Sequence, residues 1–336
     1  MSSILKVGIA GYGVVGKKRK KILEKIPGIN VIAISDKNPK NRILNKKIKF
    51  FNDYKKLFKQ NLDILFISLP NKYAADATVN AIKKNINVFC EKPPARNIHE
   101  LKKVLNEFKK KNKIKLKYGF NHRYHDSIIL AKKIIDSGKY GKLVNLKGLY
   151  GKSKIISFAS GQWRSNKSMA GGGILLDQGI HLLDIMRFFC GEFKEIKSLV
   201  NNNYWKYKVE DNAYVIMRSL KNAVAMVHST ATQWQHQFRI EIALKYALLE
   251  LKGILSGSKS YGRESLNLIP RFPKLNKDSK NRRKFTFKKD KSWKEEIDEF
   301  ANLIIKNLPV KTGNIKDALK VMSMVKDIYY ADKKWR

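Results

Sequence analysis

Three groups of residues have the types and spacing to do chemistry. The first is Gly11-Tyr12-Gly13-Val14-Val15-Gly16, a G-x-G-x-x-G that directly follows the apolar, β-branched run from Lys6 to Ala10. Between a strand and a helix, Gly11 permits the tight turn, Gly13 lets the backbone approach a phosphate, and Gly16 lets the helix pack on the strand. Asp36 lies 20 residues beyond Gly16, at the end of the next β-branched run. There a carboxylate can accept hydrogen bonds from both hydroxyls of an adenosine ribose, so strand, glycines, helix and acid together read as a dinucleotide site. The plainer alternative is a glycine turn with a solvated Asp36. Because the carboxylate would repel a 2′-phosphate, NAD is preferred over NADP, with Lys37 partly offsetting the repulsion.

The second group lies at two strand ends, Ser68-Leu69-Pro70-Asn71 and Cys90-Glu91-Lys92-Pro93-Pro94. Carboxyl ends of parallel strands are where open α/β sheets place ligands. Pro93 restricts Lys92 to an extended conformation that would aim its ammonium into the crevice, although a lysine in so lysine-rich a chain is more simply solvated. The third group is Asp177 and His181, four residues apart and so on one face of a helix. With apolar neighbours and a carboxylate one turn away, His181 is either a satisfied core residue or a tuned base. The preceding Gly171-Gly172-Gly173 allows a close pass by a ligand or a sharp bend.

The elements that must position these groups follow from periodicity. Residues 4 to 120 alternate short β-branched runs (Lys6 to Ala10, Asn30 to Ser35, Ile48 to Phe51, Asp63 to Leu69, Asn87 to Cys90, Ile114 to Tyr118) with amphipathic, Lys-rich segments. That pattern predicts an α/β, doubly wound parallel sheet, a Rossmann-type domain over residues 1–120. From residue 121 to 336 the pattern predicts an α+β domain. It holds a helix from Ser127 to Ser137, a strand from Leu143 to Tyr150, a helix opening at Gly173, and long strands joined by short turns, hence a large, mostly antiparallel sheet. Residues 256–292 read as a long excursion with little core, and helices over 293–306 and 314–333 close the chain.

Composition bounds the function. The chain has 336 residues, 43% of them apolar and 10% aromatic, which excludes a disordered protein. With Lys plus Arg at 70 against Asp plus Glu at 28, the net charge is +42, a value that by itself points to a nucleic-acid or anionic-membrane binder. Against that polyanion reading, the lysines are spread along the whole chain, Lys outnumbers Arg, and no nucleic-acid module is present. Only two cysteines, Cys90 and Cys190, are available, so neither a disulfide framework nor a zinc site is expected. A reducing cytoplasm fits best. No signal peptide and no uncharged stretch long enough to cross a bilayer are read from the sequence.

These motifs, in this order, resemble the Gfo/Idh/MocA family of NAD(P)-dependent oxidoreductases. The carrying segments are Val7 to Gly16, Ala75 to Pro94 with its E-K-P, Gly119 to Tyr124 (G-F-N-H-R-Y), Gln162 to Arg164, and Gly171 to Gly191 with its D-x-x-x-H. The resemblance implies a catalytic group of Lys92, Asp177 and His181. His181 would be the general acid/base, Lys92 would stabilise charge on the reacting oxygen, and Asp177 would orient the histidine. It implies cofactor contacts from Gly11, Tyr12, Gly13, Val14, Val15, Gly16, Asp36, Lys37, Ser68, Leu69, Pro70, Asn71, Glu91, Lys92, Trp163 and Arg164. Tyr73 is also counted among these cofactor contacts, at a position where relatives often carry histidine. Asp177, His181, His122, Arg123 and Tyr124 would face the substrate, while Asp184 reads as a helix-surface carboxylate, with a supporting partner behind His181 as the alternative. The implied substrate is a sugar or nucleotide-linked sugar, as in surface-polysaccharide metabolism, with a redox-neutral, NAD-using glycosidase as the alternative. A homodimer or homotetramer is also implied, and no metal.

Overall fold

The computed structural model describes residues 4–42, 47–153, 162–256, 259–271 and 282–335. In chain order the elements begin β1 (Leu5–Ala10), α1 (Val14–Leu23), β2 (Ile29–Ser35), β3 (Lys49–Phe51), β4 (Ile64–Ile67), α2 (Asn71–Lys83), β5 (Asn87–Cys90), α3 (Ile98–Phe108) and β6 (Leu116–Tyr118). They continue with α4 (Asp126–Asp136), β7 (Leu143–Gly151), α5 (Lys167–Ala170), a π-helical turn (Leu175–Gly179), α6 (Ile180–Cys190), β8 (Phe193–Asn201), β9 (Asn212–Ser219), β10 (Val224–Thr230) and β11 (Gln237–Leu244). The last are β12 (Ala247–Lys252), β13 (Glu264–Pro270), β14 (Arg283–Phe287), α7 (Ser292–Ile305) and α8 (Ile315–Ala331).

The chain forms two compact units. The first comprises Met1–Phe120, Ser168–Gly171 and Trp293–Lys320. Its sheet is wholly parallel, in the order β3-β2-β1-β4-β5-β6, the strand order of a dinucleotide-binding fold. β4 (Ile-Leu-Phe-Ile) is buried throughout, as a strand covered on both faces must be. The units do not follow one cut after residue 120, because α7 supplies Ile297 and Phe300 to the core of the first unit. There Phe300 meets Phe89 edge-on at 5.7 Å, and Phe89 stacks on Phe66 at 4.9 Å.

The second unit comprises Asn121–Lys167, Gly172–Ser292 and Val321–Arg336. Its eight-stranded sheet runs β14-β13-β12-β11-β7-β10-β9-β8, with β7 and β10 parallel and the other pairs antiparallel. α6 lies so close to β7 that a Cβ on Gly148 would meet Met186 at 2.3 Å. The opposite face shows Leu199, Tyr214, Ile216 and Met226 to solvent, alternating with the buried Ala213, Val215 and Met217.

Two segments of the second unit depart from the sequence reading. The excursion over 256–292 contains two paired strands, β13 and β14; Leu266 and Leu268 of β13 are buried, an alternation obscured by polar neighbours. β8, unread in the sequence, is an edge strand whose lysines face outward, so its apolar residues form no continuous run. The helix expected to open at Gly173 begins directly after it, and its first turn widens into a π turn, with Asp177 in that turn and His181 in α6. Among the described residues, no helix is long and apolar enough to cross a membrane.

Candidate cofactor and active site

In the first unit, β1 ends in the glycine loop. Gly11 has φ +88°, and a Cβ there would stand 2.5 Å from the Ser68 carbonyl oxygen; one on Gly16 would stand 2.1 Å from the Gly11 carbonyl. Gly13 is different, with open space in front of it. It begins α1, where no side chain caps the helix and no acid occupies the first turn. An uncapped helix start with an open approach fits a dinucleotide pyrophosphate. Tyr12 is buried and Val14 exposed on this loop, with Val15 half-buried between loop and helix.

Asp36 is fixed by two amides: Tyr12 N–H donates to its Oδ2 at 2.7 Å and Asn38 N–H to its Oδ1 at 2.8 Å. Each carboxylate oxygen keeps a further lone pair for a ribose hydroxyl. Beside it opens a cavity of about 300 Å³, lined among others by Lys37, Arg42, Phe50, Phe51 and Lys56. The Lys37 ammonium also lies 5.3 Å from the Tyr73 ring, and Tyr73 packs against Tyr54.

Two sequence-selected side chains at the strand ends have internal partners. Asn71 donates its amide to the Ala170 carbonyl at 2.7 Å, holding α2 to α5. Glu91 accepts from Arg19 Nε at 2.6 Å. That guanidinium, fully buried between Phe89 and Trp293, also donates to Glu296 of α7 at 2.9 Å. Burial pushes the Glu296 carboxyl up to about 7, reinforced by Glu91 and opposed by Arg19 and Lys117. Ser68 is half-buried with its hydroxyl enclosed, Leu69 and Pro70 are half-buried beside it, and Lys92 follows Glu91, half-buried, with a cis bond to Pro93.

The second unit gathers the other candidates. Asp177 lies 3.5 Å from Arg164 Nε and 3.9 Å from the nearly buried Lys152 Nζ, with Trp163 beneath the Arg164 guanidinium at 4.4 Å. His181 is buried and stacks on His122, ring centroids 3.7 Å apart and planes at 16°. His122 lies within hydrogen-bond distance of Asn121 Oδ1 and the Tyr150 hydroxyl, at 3.3 and 3.2 Å. Next to it His125 bonds Glu264 at 2.8 Å. Burial would raise the Glu264 carboxyl, but His125 and the Ser127 amide outweigh it and hold it below its usual range.

Arg123 does not stand open to a substrate. It forks onto Asp184, Nε to Oδ2 at 2.7 Å and Nη2 to Oδ1 at 2.5 Å, both residues buried. This also corrects the surface reading of Asp184: the helix face it occupies is covered by the 3-10 turn Asn121–Tyr124, where Tyr124 is half-buried. The glycines before Asp177 admit protein. Gly173 has the Glu210 carbonyl where its Cβ would be, at 2.1 Å, and the buried Glu210 carboxylate accepts from the Gly173 and Leu175 amides and the Tyr329 hydroxyl. Glu210 thus anchors the turn that carries Asp177. Glu210, Lys152 and Tyr150 were not legible in the sequence, since nothing local marks one buried lysine or glutamate among so many exposed ones.

Residues 5–120 match the family model described as oxidoreductase family, NAD-binding Rossmann fold, and residues 128–248 match the GFO/IDH/MocA C-terminal domain. The chain belongs to the Gfo/Idh/MocA family. Among relatives in that family, the levoglucosan dehydrogenase of Pseudarthrobacter phenanthrenivorans is 31% identical over 142 residues, 42% of this chain and 36% of its own length. The inositol 2-dehydrogenase of Salmonella typhimurium is 28% identical over 202 residues, 57% of each chain. The match therefore spans between about a third and somewhat over half of these relatives. A structure of levoglucosan dehydrogenase in complex with NADH and L-sorbose has a TM-score of 0.86 at 20% identity, covering 99% of this chain and 98% of that one. Myo-inositol 2-dehydrogenase from Lactobacillus plantarum gives 0.77 at 22%, covering 97% and 96%. At such identities the likeness is one of fold.

Proposed function

We propose that this Gfo/Idh/MocA protein is a dehydrogenase that moves a hydride between the carbon bearing a ring hydroxyl of a sugar or polyol and NAD. The observation that carries the reading is the open, uncapped Gly13 start of α1 with Asp36 tied to the neighbouring Tyr12 amide. The dehydrogenase names of relatives acting on levoglucosan, inositol and D-glucoside support a cyclic polyhydroxylated substrate. Net charge favours an anionic, nucleotide-linked sugar among these, as surface-polysaccharide metabolism would use.

NAD, held by the glycine loop and Asp36, supplies the hydride acceptor. His181 takes the hydroxyl proton in oxidation and returns it in reduction, as an imidazole acid/base can. Lys92 donates a hydrogen bond to the reacting oxygen and stabilises the negative charge that builds there. Asp177, held between Lys152 and Arg164, supports the protonated form of His181. NAD is preferred over NADP, the protein works in the cytoplasm, and the apolar outer face of the second unit's sheet serves a homodimer or homotetramer. A panel of sugars, polyols and nucleotide sugars, followed at the NADH absorbance with mass spectrometry of products, tests the reading. NADH formation with an oxidised product is expected. Product without NADH accumulation would instead mark a redox-neutral glycosidase, and no turnover of any member would count against both.

A further inference from the structure

We propose that His122 is a positioning residue that confines the proton of a stacked histidine pair to His181. The inference rests on the reading of His181 as the acid/base and concerns how its protonation is directed.

A directional chain of hydrogen bonds defines the state of His122. Ser292 Oγ donates to Asp290 Oδ1 at 2.6 Å, so it accepts from Asn121 Nδ2 at 3.1 Å. The amide orientation this sets turns Asn121 Oδ1, an acceptor, toward His122 Nδ1 at 3.3 Å. Nδ1 therefore carries the ring hydrogen, which leaves Nε2 with its lone pair facing the Tyr150 hydroxyl at 3.2 Å. The hydroxyl, which also meets Tyr261, is assigned as donor to this lone pair, and burial holds the Tyr150 proton on its oxygen well above the usual range. The neutral ring satisfies both nitrogens, and a second ring proton would force the Tyr150 hydroxyl to turn its hydrogen away from Nε2, toward Tyr261.

Among the described residues, the groups around His122 include Tyr150 from β7, itself influenced by Tyr261 and Asp177, His181 from α6 at 3.7 Å, Phe238 from β11 at 6.0 Å, and His125 at 5.4 Å from its own segment, itself bonded to Glu264 of β13. Two imidazolium rings stacked at 3.7 Å would repel strongly, so a ring locked neutral directs a single proton to its partner. The flat, fixed face of His122 also sets the plane of the His181 ring.

Ring titration by NMR tests this without a substrate, using the full chain with ¹³C- and ¹⁵N-labelled histidine. In the wild type, His122 is expected to remain in its neutral Nδ1–H form down to about pH 5 while His181 titrates once. Tyr150→Phe frees Nε2 to take a proton, and Asn121→Asp offers the ring a counter-ion from the other side. Both are near-isosteric, and in each the His122 ring should charge and the His181 midpoint should fall by at least about one pH unit. A His122 that titrates in the wild type, a His181 that does not, or an unmoved His181 midpoint in the folded variants would overturn the proposal. Should one variant fail to fold, the other decides. These titrations can fail while His181 proves to be the acid/base, and the sugar panel can fail while they succeed.

Discussion

Asp36 has two duties that pull on cofactor choice. Its oxygens brace the Tyr12 and Asn38 amides while keeping acceptor capacity for a ribose, yet Lys37, Arg42 and Lys56 line the cavity beside it. A carboxylate there repels a 2′-phosphate that three cations would otherwise attract. Asp36→Ser removes the repulsion and leaves the cations. The proposed NAD over NADP preference, measured as the ratio of kcat/KM values, should fall at least about tenfold, on the order of 1.4 kcal/mol of differential binding. An unchanged ratio would show that Asp36 does not read the ribose. The glycine loop and Asp36 were legible in the sequence because their spacing is itself the mechanism. The Arg123–Asp184 pair was not, since a helical period shows that Asp184 shares a face with its neighbours but not what covers that face.

At the scale of elements, α7 belongs with the parallel sheet of the first unit through a buried charge cluster as well as its apolar face. Arg19 of α1 bridges Glu91, at the end of β5, and Glu296 of α7, so elements far apart in sequence meet on one guanidinium. A periodic helix pattern shows that α7 has an apolar face, not which sheet receives it, which is why a cut at residue 120 misassigns residues 293–320. The same blindness affected β13 and β14, whose pairing is long-range and whose flanks are polar. Glu296, pushed up to about 7, keeps its proton in the native state at pH values where the unfolded chain has lost it. The folded chain then binds more protons, so its stability should fall as pH rises from the ordinary carboxylate range to about 7, and level off above. Glu296→Gln removes that slope. Thermal unfolding from about pH 5 to about 8 should show the wild type losing stability relative to the variant across that window, and parallel curves would contradict the assignment.

For the whole molecule, the net charge of +42 is a property of surfaces, since the cores of both units are apolar and the buried cations are paired, as Arg19 and Arg123 are. A surface of that sign attracts anions at long range, an effect that salt screens. Raising ionic strength from about 0.05 to about 0.5 M should raise KM for NAD and for an anionic sugar while leaving kcat within about twofold. A salt-independent KM would confine the charge to solubility. The proposed mechanism has His181 and Lys92 act on a sugar oxygen as hydride moves to NAD. It is tested most directly by comparing turnover of the wild type, His181→Ala and Lys92→Ala on the best substrate of the panel, with NAD saturating in all three. Each variant should bind NAD but turn over at least about 100-fold more slowly, the loss expected when acid/base or oxyanion help is removed. Wild-type turnover in both variants would contradict the mechanism.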